Sequence, residues 1–208
     1  MATDAELLDA WSEGDAAAGN ALFGRYFEAL LRFFFNKADE DAVEDLIQRT
    51  MLACVRSRDR FRRDASFRTY LFVIARNELL QLYRRRRPSV DVDFSVASIA
   101  DLATSPSAAA VKNEDHGLLL QALRQLPTDQ QLILELHYWQ GLAAGELAEV
   151  FEVDPTTIRT RLHRARARLK VLVEQLASDP ERRERVVDGL QTWAQQIHAE
   201  FAAAHERR

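Results

Sequence analysis

Residues 142–170 read LAAGELAEVFEVDPTTIRTRLHRARARLK, and this stretch predicts two helices joined by a tight turn. The first helix, from 142 to 151, turns Leu147, Ala148 and Phe151 inward. Asp154 is a favourable N-cap for the second helix, and Pro155 suits its first position. The second helix carries its apolar residues at steps of four, three and four, on one face: Ile158, Leu162, Ala165 and Leu169. A short helix, a turn and a longer helix are typical of the helix-turn-helix motif.

The exposed side of this second helix is strongly basic. Between Pro155 and Lys170 there are five arginines, one lysine and no acid, although the whole chain carries a net charge of −4. Near the start of such a helix an arginine can pair with the edge of a guanine, and later arginines can bind phosphates. The pattern favours DNA binding, and an ordinary surface helix in an αα-hairpin stays open as the alternative.

A second basic stretch lies far upstream, between Arg56 and Arg87, with eleven arginines against three acids. Five aromatic residues are interleaved with these cations: Phe61, Phe67, Tyr70, Phe72 and Tyr83. Aromatic rings stack on unpaired bases, at about 1–3 kcal/mol per base, while arginine binds the nucleic-acid backbone. The stretch therefore favours single-stranded nucleic acid. At least two of the aromatics are expected in the core, and a solvated helix face is the alternative for the charges.

The remaining sequence predicts an all-α protein made of two small helical domains. Apolar residues recur mostly every three or four positions, strand signals are nearly absent, and only seven Gly and five Pro occur in 208 residues. From 88 to 113 the sequence turns to Pro, Ser, Ala, Thr and Asp, which is typical of a flexible linker. We expect the domains at 1–87 and 114–172, with the helix-turn-helix in the second, and a helical extension at 173–208.

Several classes of function find no support in the sequence. The five His and the single Cys show no metal-ligand spacing, and no phosphate-binding glycine loop or nucleophile elbow is present. We therefore expect no enzyme, no metal and no cofactor. The acidic N-terminus lacks the pattern of a signal peptide, and no apolar run is long enough to cross a bilayer. A soluble, cytoplasmic protein without membrane contact is the expectation.

Two blocks of this sequence resemble bacterial RNA polymerase sigma factors of the extracytoplasmic-function (ECF) group, in the sigma-70 family. Residues 45–87, DLIQRTMLACVRSRDRFRRDASFRTYLFVIARNELLQLYRRRR, resemble sigma domain two. Residues 126–170, beginning LPTDQQLILELHYWQG, look like sigma domain four. The blocks stand in the family's order across a linker, which makes the resemblance specific. It implies a transcription initiation factor whose partners are core RNA polymerase and promoter DNA.

The resemblance also implies roles for particular residues. The helix with the DLIQ motif would contact core polymerase through Asp45, Leu46, Gln48 and the neighbouring Arg49. The arginine-aromatic segment would open the promoter at the −10 element and hold a flipped base, with these residues: Phe67, Tyr70, Arg76, Asn77 and Arg84. The recognition helix would read the −35 element with these residues: Thr157, Arg159, Thr160, His163 and Arg164.

The chain departs from the family next to its polymerase-binding motif. The family usually has Glu where Arg49 stands, so the charge is reversed at this position. A phosphate on Thr50 would add about −1.5 to −2 charges beside it. We therefore hypothesise that a Ser/Thr kinase activates the protein at Thr50. The alternative is that Arg49 is a tolerated surface change and that Thr50 packs or caps. An anti-sigma factor is a further candidate partner.

Two rival functions stay open. An autonomous helix-turn-helix regulator would bind duplex DNA without polymerase, but the first basic stretch makes little sense on duplex DNA alone. An adaptor protein that acts through its acidic N-terminal face and its C-terminal tail would leave the basic helix from Pro155 to Lys170 unexplained.

Overall fold

The computed structural model describes residues 2–58, 61, 65–88, 91–102 and 114–177, and the structural statements below concern these residues. Their helices are α1 (Asp4–Ser12), α2 (Ala16–Phe35), α3 (Glu40–Ser57), α4 (Phe67–Arg86), α5 (Ile99–Leu102), α6 (Glu114–Arg124), α7 (Thr128–Tyr138), α8 (Ala144–Phe151) and α9 (Pro155–Leu176). No strand forms in this part of the chain, where one isolated bridge joins Ser98 to Pro127.

Short polar side chains start three of the long helices. The Asp15 carboxylate accepts hydrogen bonds from the first turn of α2, and the Ser66 hydroxyl does the same for α4. At the start of α9 the Asp154 carboxylate accepts from the amide of Thr156 at 2.7 Å, and Pro155 occupies the first turn. These bonds satisfy amides that a helix leaves unpaired at its start. The predicted beginning of the recognition helix is therefore confirmed.

Helices α1 to α4 form the first domain around an aromatic-rich core. The rings of Phe33 on α2 and Phe72 on α4 lie with their centroids 5.6 Å apart in this core. Trp11 attaches α1 to α2, because its ring packs edge-on against Phe23 at a centroid distance of 5.3 Å. Cys54 of α3 is buried, as its place on the apolar side of the helix predicts.

Helices α6 to α9 form the second domain, and α8 and α9 are its helix-turn-helix. All the residues that the sequence places on the inner faces of these two helices are buried: Leu147, Ala148, Phe151, Ile158, Leu162, Ala165 and Leu169. Helix α9 continues to Leu176 and buries Val173, so the predicted domain boundary at 172 falls too early. The predicted helical extension beyond residue 177 lies outside the described residues.

Residues 91–102, within the predicted linker, pack against both domains. Phe94 is buried, and its ring lies 6.3 Å from the ring of Tyr83 in the first domain. Its carbonyl accepts a hydrogen bond from the amide of Asp129 in the second domain at 3.1 Å. The Thr128 amide and hydroxyl both donate to the carbonyl of Ala97. The expectation of a flexible linker does not describe this part of 88–113, while residues 103–113 lie outside the described residues.

The two domains also contact each other directly, chiefly where α4 packs on α8. The predicted fold class is confirmed: two small helical domains follow one another along the chain, and the second contains a helix-turn-helix. The sequence does not predict the direct packing, because a long linker allows the domains to lie apart or together.

Candidate nucleic-acid interface

The recognition helix α9 presents its predicted DNA contacts to solvent. Arg159, Thr160, His163 and Arg164 are exposed, and Thr157 is half-buried at the first turn. Hydrogen bonds from Thr156 hold the pKa of the Asp154 carboxyl below its ordinary value, so the N-cap stays ionised at neutral pH. The result is a polar, cationic face on a capped helix, which has the width and the donors to enter a major groove.

Helix α4 exposes part of the predicted −10 contact. Asn77 and Arg84 point to solvent, and the Arg84 guanidinium lies 5.3 Å from the centroid of the Phe94 ring. Tyr70 is half-buried against the ring of Phe61, with a centroid distance of 4.5 Å. These side chains form a mixed aromatic and polar surface of the kind that holds unpaired bases.

Phe67 does not belong to this surface. Its side chain is buried, and its ring packs between Phe23 and Tyr26 of α2 at centroid distances of 6.2 Å and 5.6 Å. The prediction that Phe67 supports the opened strand is therefore wrong in this conformation, because the ring is part of the core. Phe72 and Tyr83 are buried as well, so the expectation that at least two of the five aromatics are core residues is confirmed.

Helix α3 carries the predicted polymerase contact. Asp45 and Gln48 are exposed, and Arg49 forms an ion pair with Asp45 one turn away at 2.8 Å. Leu46 is fully buried, so its predicted contact with polymerase is wrong and it instead anchors the helix to the core. Leu52 and Val55 continue the face of Asp45 and Gln48 at steps of four and three, with exposed fractions of 48% and 47%.

The sequence analysis did not predict that Leu52 and Val55 belong to this surface, although their spacing from Gln48 places them on the same helix face. An apolar pair in register with exposed polar residues makes α3 an amphipathic surface rather than a purely charged one.

Thr50 lies on the opposite side of α3, inside the first domain. Its side chain has an exposed fraction of 0%, and its hydroxyl donates to the carbonyl of Leu46 at 2.7 Å. A kinase needs an exposed hydroxyl, and this one is enclosed by the core. The Thr50 prediction is therefore contradicted in this conformation, and the alternative that Thr50 packs within the helix bundle describes what is seen.

The second domain covers the remaining predicted −10 residue. The guanidinium of Arg76 pairs with Asp129 of α7 at 3.1 Å and lies 4.8 Å from the centroid of the Phe151 ring of α8. Arg68, one of the basic residues on the same helix, pairs with Glu146 of α8 at 3.0 Å. Two arginines from the basic stretch thus contact carboxylates and an aromatic ring of the second domain.

Hydrogen bonding keeps Glu146 ionised in this contact. Partial burial raises the pKa of its carboxyl, but bonds from the Ala143 amide and from Arg68 outweigh that effect and leave the pKa below its ordinary value. The same carboxylate accepts from the Ala143 amide at 2.8 Å and so caps α8. Glu146 therefore helps to start the helix-turn-helix and to join the two domains.

A buried ion pair joins the domains deeper in the contact. Lys37, just after α2, pairs with Glu135 of α7, and the side chains have exposed fractions of 0% and 2%. Burial lowers the pKa of the Lys37 ammonium and raises the pKa of the Glu135 carboxyl, while each group opposes the shift of the other. Gln131 also donates to the Glu135 carboxylate at 2.7 Å. Sequence reasoning missed this pair, although Glu135 interrupts the apolar run of α7.

Comparison with known proteins gives a consistent result. Residues 22–88 match the family described as Sigma-70 region 2, and residues 116–169 match the family described as Sigma-70, region 4. The ECF RNA polymerase sigma-E factor of Escherichia coli strain K12 is 28% identical over 183 residues, which cover 84% of this chain and 96% of that protein. The factor of the same name from Haemophilus influenzae is 26% identical, and the coverage is 84% of this chain and 97% of that protein.

Two solved structures share the fold. CnrH in complex with the cytosolic domain of CnrY superposes with a TM-score of 0.61 at 24% identity, covering 81% of this chain and 96% of that chain. The sigma factor RpoE of Bartonella quintana, in complex with the anti-sigma factor NepR, gives a TM-score of 0.52 at 27% identity, covering 70% of this chain and 90% of that chain.

A two-domain helical chain with a helix-turn-helix and a second basic, aromatic-rich helix has the architecture of a nucleic-acid-binding protein. More particularly, the chain belongs to the sigma-70 family of RNA polymerase sigma factors, in its ECF group. Among the described residues no helix is long and apolar enough to span a membrane, and no cluster of His, Cys, Asp and Glu is placed to hold a metal ion.

Proposed function

We propose that this chain is a transcription initiation factor that binds core RNA polymerase and directs it to specific promoters. The observation that carries the proposal is the pairing of two basic surfaces on separate domains, one on a recognition helix and one on an arginine-aromatic helix. A duplex-binding regulator needs only the first. A factor of this kind acts where polymerase acts, in the cytoplasm.

In this proposal α9 reads the −35 element. Arg159 and Arg164 extend from the exposed face, where a guanidinium can bond two acceptors of a guanine or bind a phosphate. Thr160 and His163 lie between them and Thr157 precedes Arg159, and these three side chains would contact neighbouring base edges. The ionised Asp154 cap fixes the start of the helix, so these side chains leave it at defined angles.

Helix α4 acts at the −10 element. Asn77 presents an amide that can both donate to and accept from a flipped base, and Tyr70 offers a ring about two turns earlier on the same helix. Arg84 is exposed, with its guanidinium near the ring of Phe94, and would bind the backbone of the opened strand. Arg76 can contact DNA only when the second domain moves away from α4, because its guanidinium is paired with Asp129 and packs on the ring of Phe151.

The α3 surface made of Asp45, Gln48, Leu52 and Val55 is the proposed contact with core polymerase. The apolar pair supplies area that leaves water on binding, and the polar pair sets orientation. Arg49 is already paired with Asp45, so the local charge is close to neutral rather than reversed. That pairing removes the reason for requiring a phosphate at Thr50.

A regulatory protein partner is also supported. The structurally similar RpoE was solved with the anti-sigma factor NepR. We infer that a protein of that kind binds this chain as well, and the exposed apolar pair Leu52 and Val55 is the surface it would compete for.

Run-off transcription with core polymerase tests the proposal, on a promoter selected from genomic fragments. Wild type should give a transcript that core polymerase alone does not. Arg159→Ala should lower its yield about tenfold or more, since one bidentate base contact is worth about 1–3 kcal/mol. Lys170→Ala, at an exposed cation near the far end of the same stretch, is the matched control and should change little. Sequence-specific binding to duplex DNA without polymerase, with no transcript, would favour the autonomous regulator instead.

A further inference from the structure

Three ion pairs between the domains have the same polarity, whereas Arg124 of the second domain lies the other way, where it donates to the Asn36 carbonyl and feels the charge of Asp39. In each of the three pairs the cation belongs to the first domain and the carboxylate to the second: Lys37 with Glu135, Arg68 with Glu146, and Arg76 with Asp129. Two of these cations come from the basic stretch that favours nucleic acid. Carboxylates of α7 and α8 therefore pair with Arg68 and Arg76, so these guanidinium groups are not available to phosphates in this arrangement.

The same contact buries further polar side chains. Asn36, next to Lys37, and Gln131, one turn before Glu135, have exposed fractions of 1% and 0%. Contacts between domains of one chain are usually more polar than a domain core, and the domains are expected to move relative to one another unless the contact is large and apolar. The interface therefore has the polar composition of one that opens.

We propose that this closed arrangement is an inhibited state of the factor and that the buried Lys37–Glu135 pair is its latch. The inference rests on the proposed function. While α8 packs on α4, Arg76 is engaged by Asp129 and cannot reach DNA. Core polymerase has to hold the two domains at two separate promoter elements. Its binding therefore separates the domains and exposes Lys37 and Glu135 to water.

An ion pair suits a latch better than an apolar contact does. When the domains separate, both charges return to water at little cost, whereas exposed leucines would oppose opening. When the domains close, the pair fixes their register, since either charge buried alone is strongly unfavourable. Removing one partner should therefore open the chain, and replacing both by apolar residues should keep it closed.

Three variants separate these effects. Glu135→Gln leaves the Lys37 charge buried without a carboxylate in the closed chain only, and should raise the ratio of open to closed molecules about a hundredfold or more. The double variant Lys37→Met with Glu135→Leu should lower that ratio about tenfold. Glu28→Gln removes the same charge from an exposed residue of α2, whose neighbour Arg32 lies on the same helix at 3.9 Å, and is the matched control.

Förster transfer between dyes on the two domains measures opening in the full chain. Leu52→Cys on α3 and Val171→Cys on α9 are exposed attachment sites, in a Cys54→Ala background. Glu135→Gln should lose transfer, and the control and the double variant should keep it, all with wild-type helicity by circular dichroism. If Glu135→Gln proves unfolded, Glu146→Gln replaces it, because the amide oxygen can still cap α8 while the charge on Arg68 loses its partner.

The effect on function is measured with unlabelled proteins. Binding to core polymerase and run-off transcription are compared at a concentration of the chain that limits the yield. When most molecules are closed, the apparent affinity for core polymerase falls in proportion to the fraction that is open. Glu135→Gln should therefore bind core polymerase more tightly and give more transcript than wild type, and the double variant should bind more weakly and give less. A folded Glu135→Gln that keeps full transfer refutes the latch. One that opens but binds core polymerase no better refutes inhibition. If wild type and every variant fail with active core polymerase, the proposed function fails, and the dye experiment alone decides the latch.

Discussion

The substitution Thr50→Glu distinguishes two explanations of Thr50, activation by phosphorylation and packing in the core of the first domain. If phosphorylation activates the protein, this substitution should imitate the phosphate and raise transcription. The structure predicts the opposite, because the Thr50 side chain is fully buried and its hydroxyl bonds to the Leu46 carbonyl within the helix.

The magnitude follows from what a larger, ionisable side chain meets at that position. Extra atoms in a filled core cost about 1–3 kcal/mol, and burying a carboxyl, even as the protonated form, adds about 2–4 kcal/mol. The sum, about 3–7 kcal/mol, is most of the stability of an ordinary small domain. Thr50→Val keeps the shape and loses only one side-chain hydrogen bond, and should cost about 1 kcal/mol or less.

Urea unfolding followed by circular dichroism measures these differences. Thr50→Glu should unfold at much lower urea than wild type and give little transcript, whereas Thr50→Val should resemble wild type in both assays. Gln48→Glu is the control for charge, since it adds one carboxylate to the exposed face of the same helix and should shift stability by about 0.5 kcal/mol or less. A stable Thr50→Glu protein with raised activity would refute the burial argument and restore the phosphorylation hypothesis.

Three further predictions test the fold around this surface. Gly19→Ala should destabilise the protein by about 1–3 kcal/mol in urea unfolding, because an added Cβ would lie 2.6 Å from Cδ1 of Trp11. Gly24→Ala on the same helix meets open space and should stabilise the protein by about 0.5–1 kcal/mol. Equal effects of the two substitutions would contradict the packing of Trp11 on α2. Burial raises the pKa of Cys54 to about 12, so a thiol reagent at pH ~8 should label native protein about a thousandfold more slowly than the unfolded chain; labelling at the unfolded rate would mean that α3 opens. Glu152 has a left-handed backbone with φ 53°, so Glu152→Gly should stabilise the protein by up to about 1 kcal/mol. Glu149→Gly, inside α8, should destabilise it by about 1 kcal/mol. A loss of stability at both positions would contradict the left-handed turn after α8.

Periodicity predicted the faces of the helices better than family position did. The apolar spacing of Val43, Leu46 and Ile47 places Leu46 in the core, and the structure agrees, although the motif it belongs to suggests a polymerase contact. Phe67 shows the same conflict, because its spacing with Leu71 predicts burial while its place in the motif suggests a contact with DNA. A motif identifies the helix that binds, and the spacing identifies which side of it is free to do so.

The contact between the domains lay beyond what the sequence could predict. Helix caps and apolar stripes are local features, so Asp154 and Pro155 were sufficient to place the start of α9. The Lys37–Glu135 pair joins residues far apart in sequence, and nothing in either segment specifies the other. A charge inside an apolar run, such as Glu135, indicates a buried partner but not which cation supplies it.

The central claim is that one chain acts at two promoter elements only in the company of core polymerase, and footprinting of that complex tests it most directly. Nuclease protection reports the −35 contact, and permanganate reactivity of thymines reports opening at the −10 element. Wild type with core polymerase should give both signals, and Asn77→Ala should keep the protection while losing most of the reactivity. Protection by the chain alone at the same site, unchanged by core polymerase and without any opening, would contradict the account.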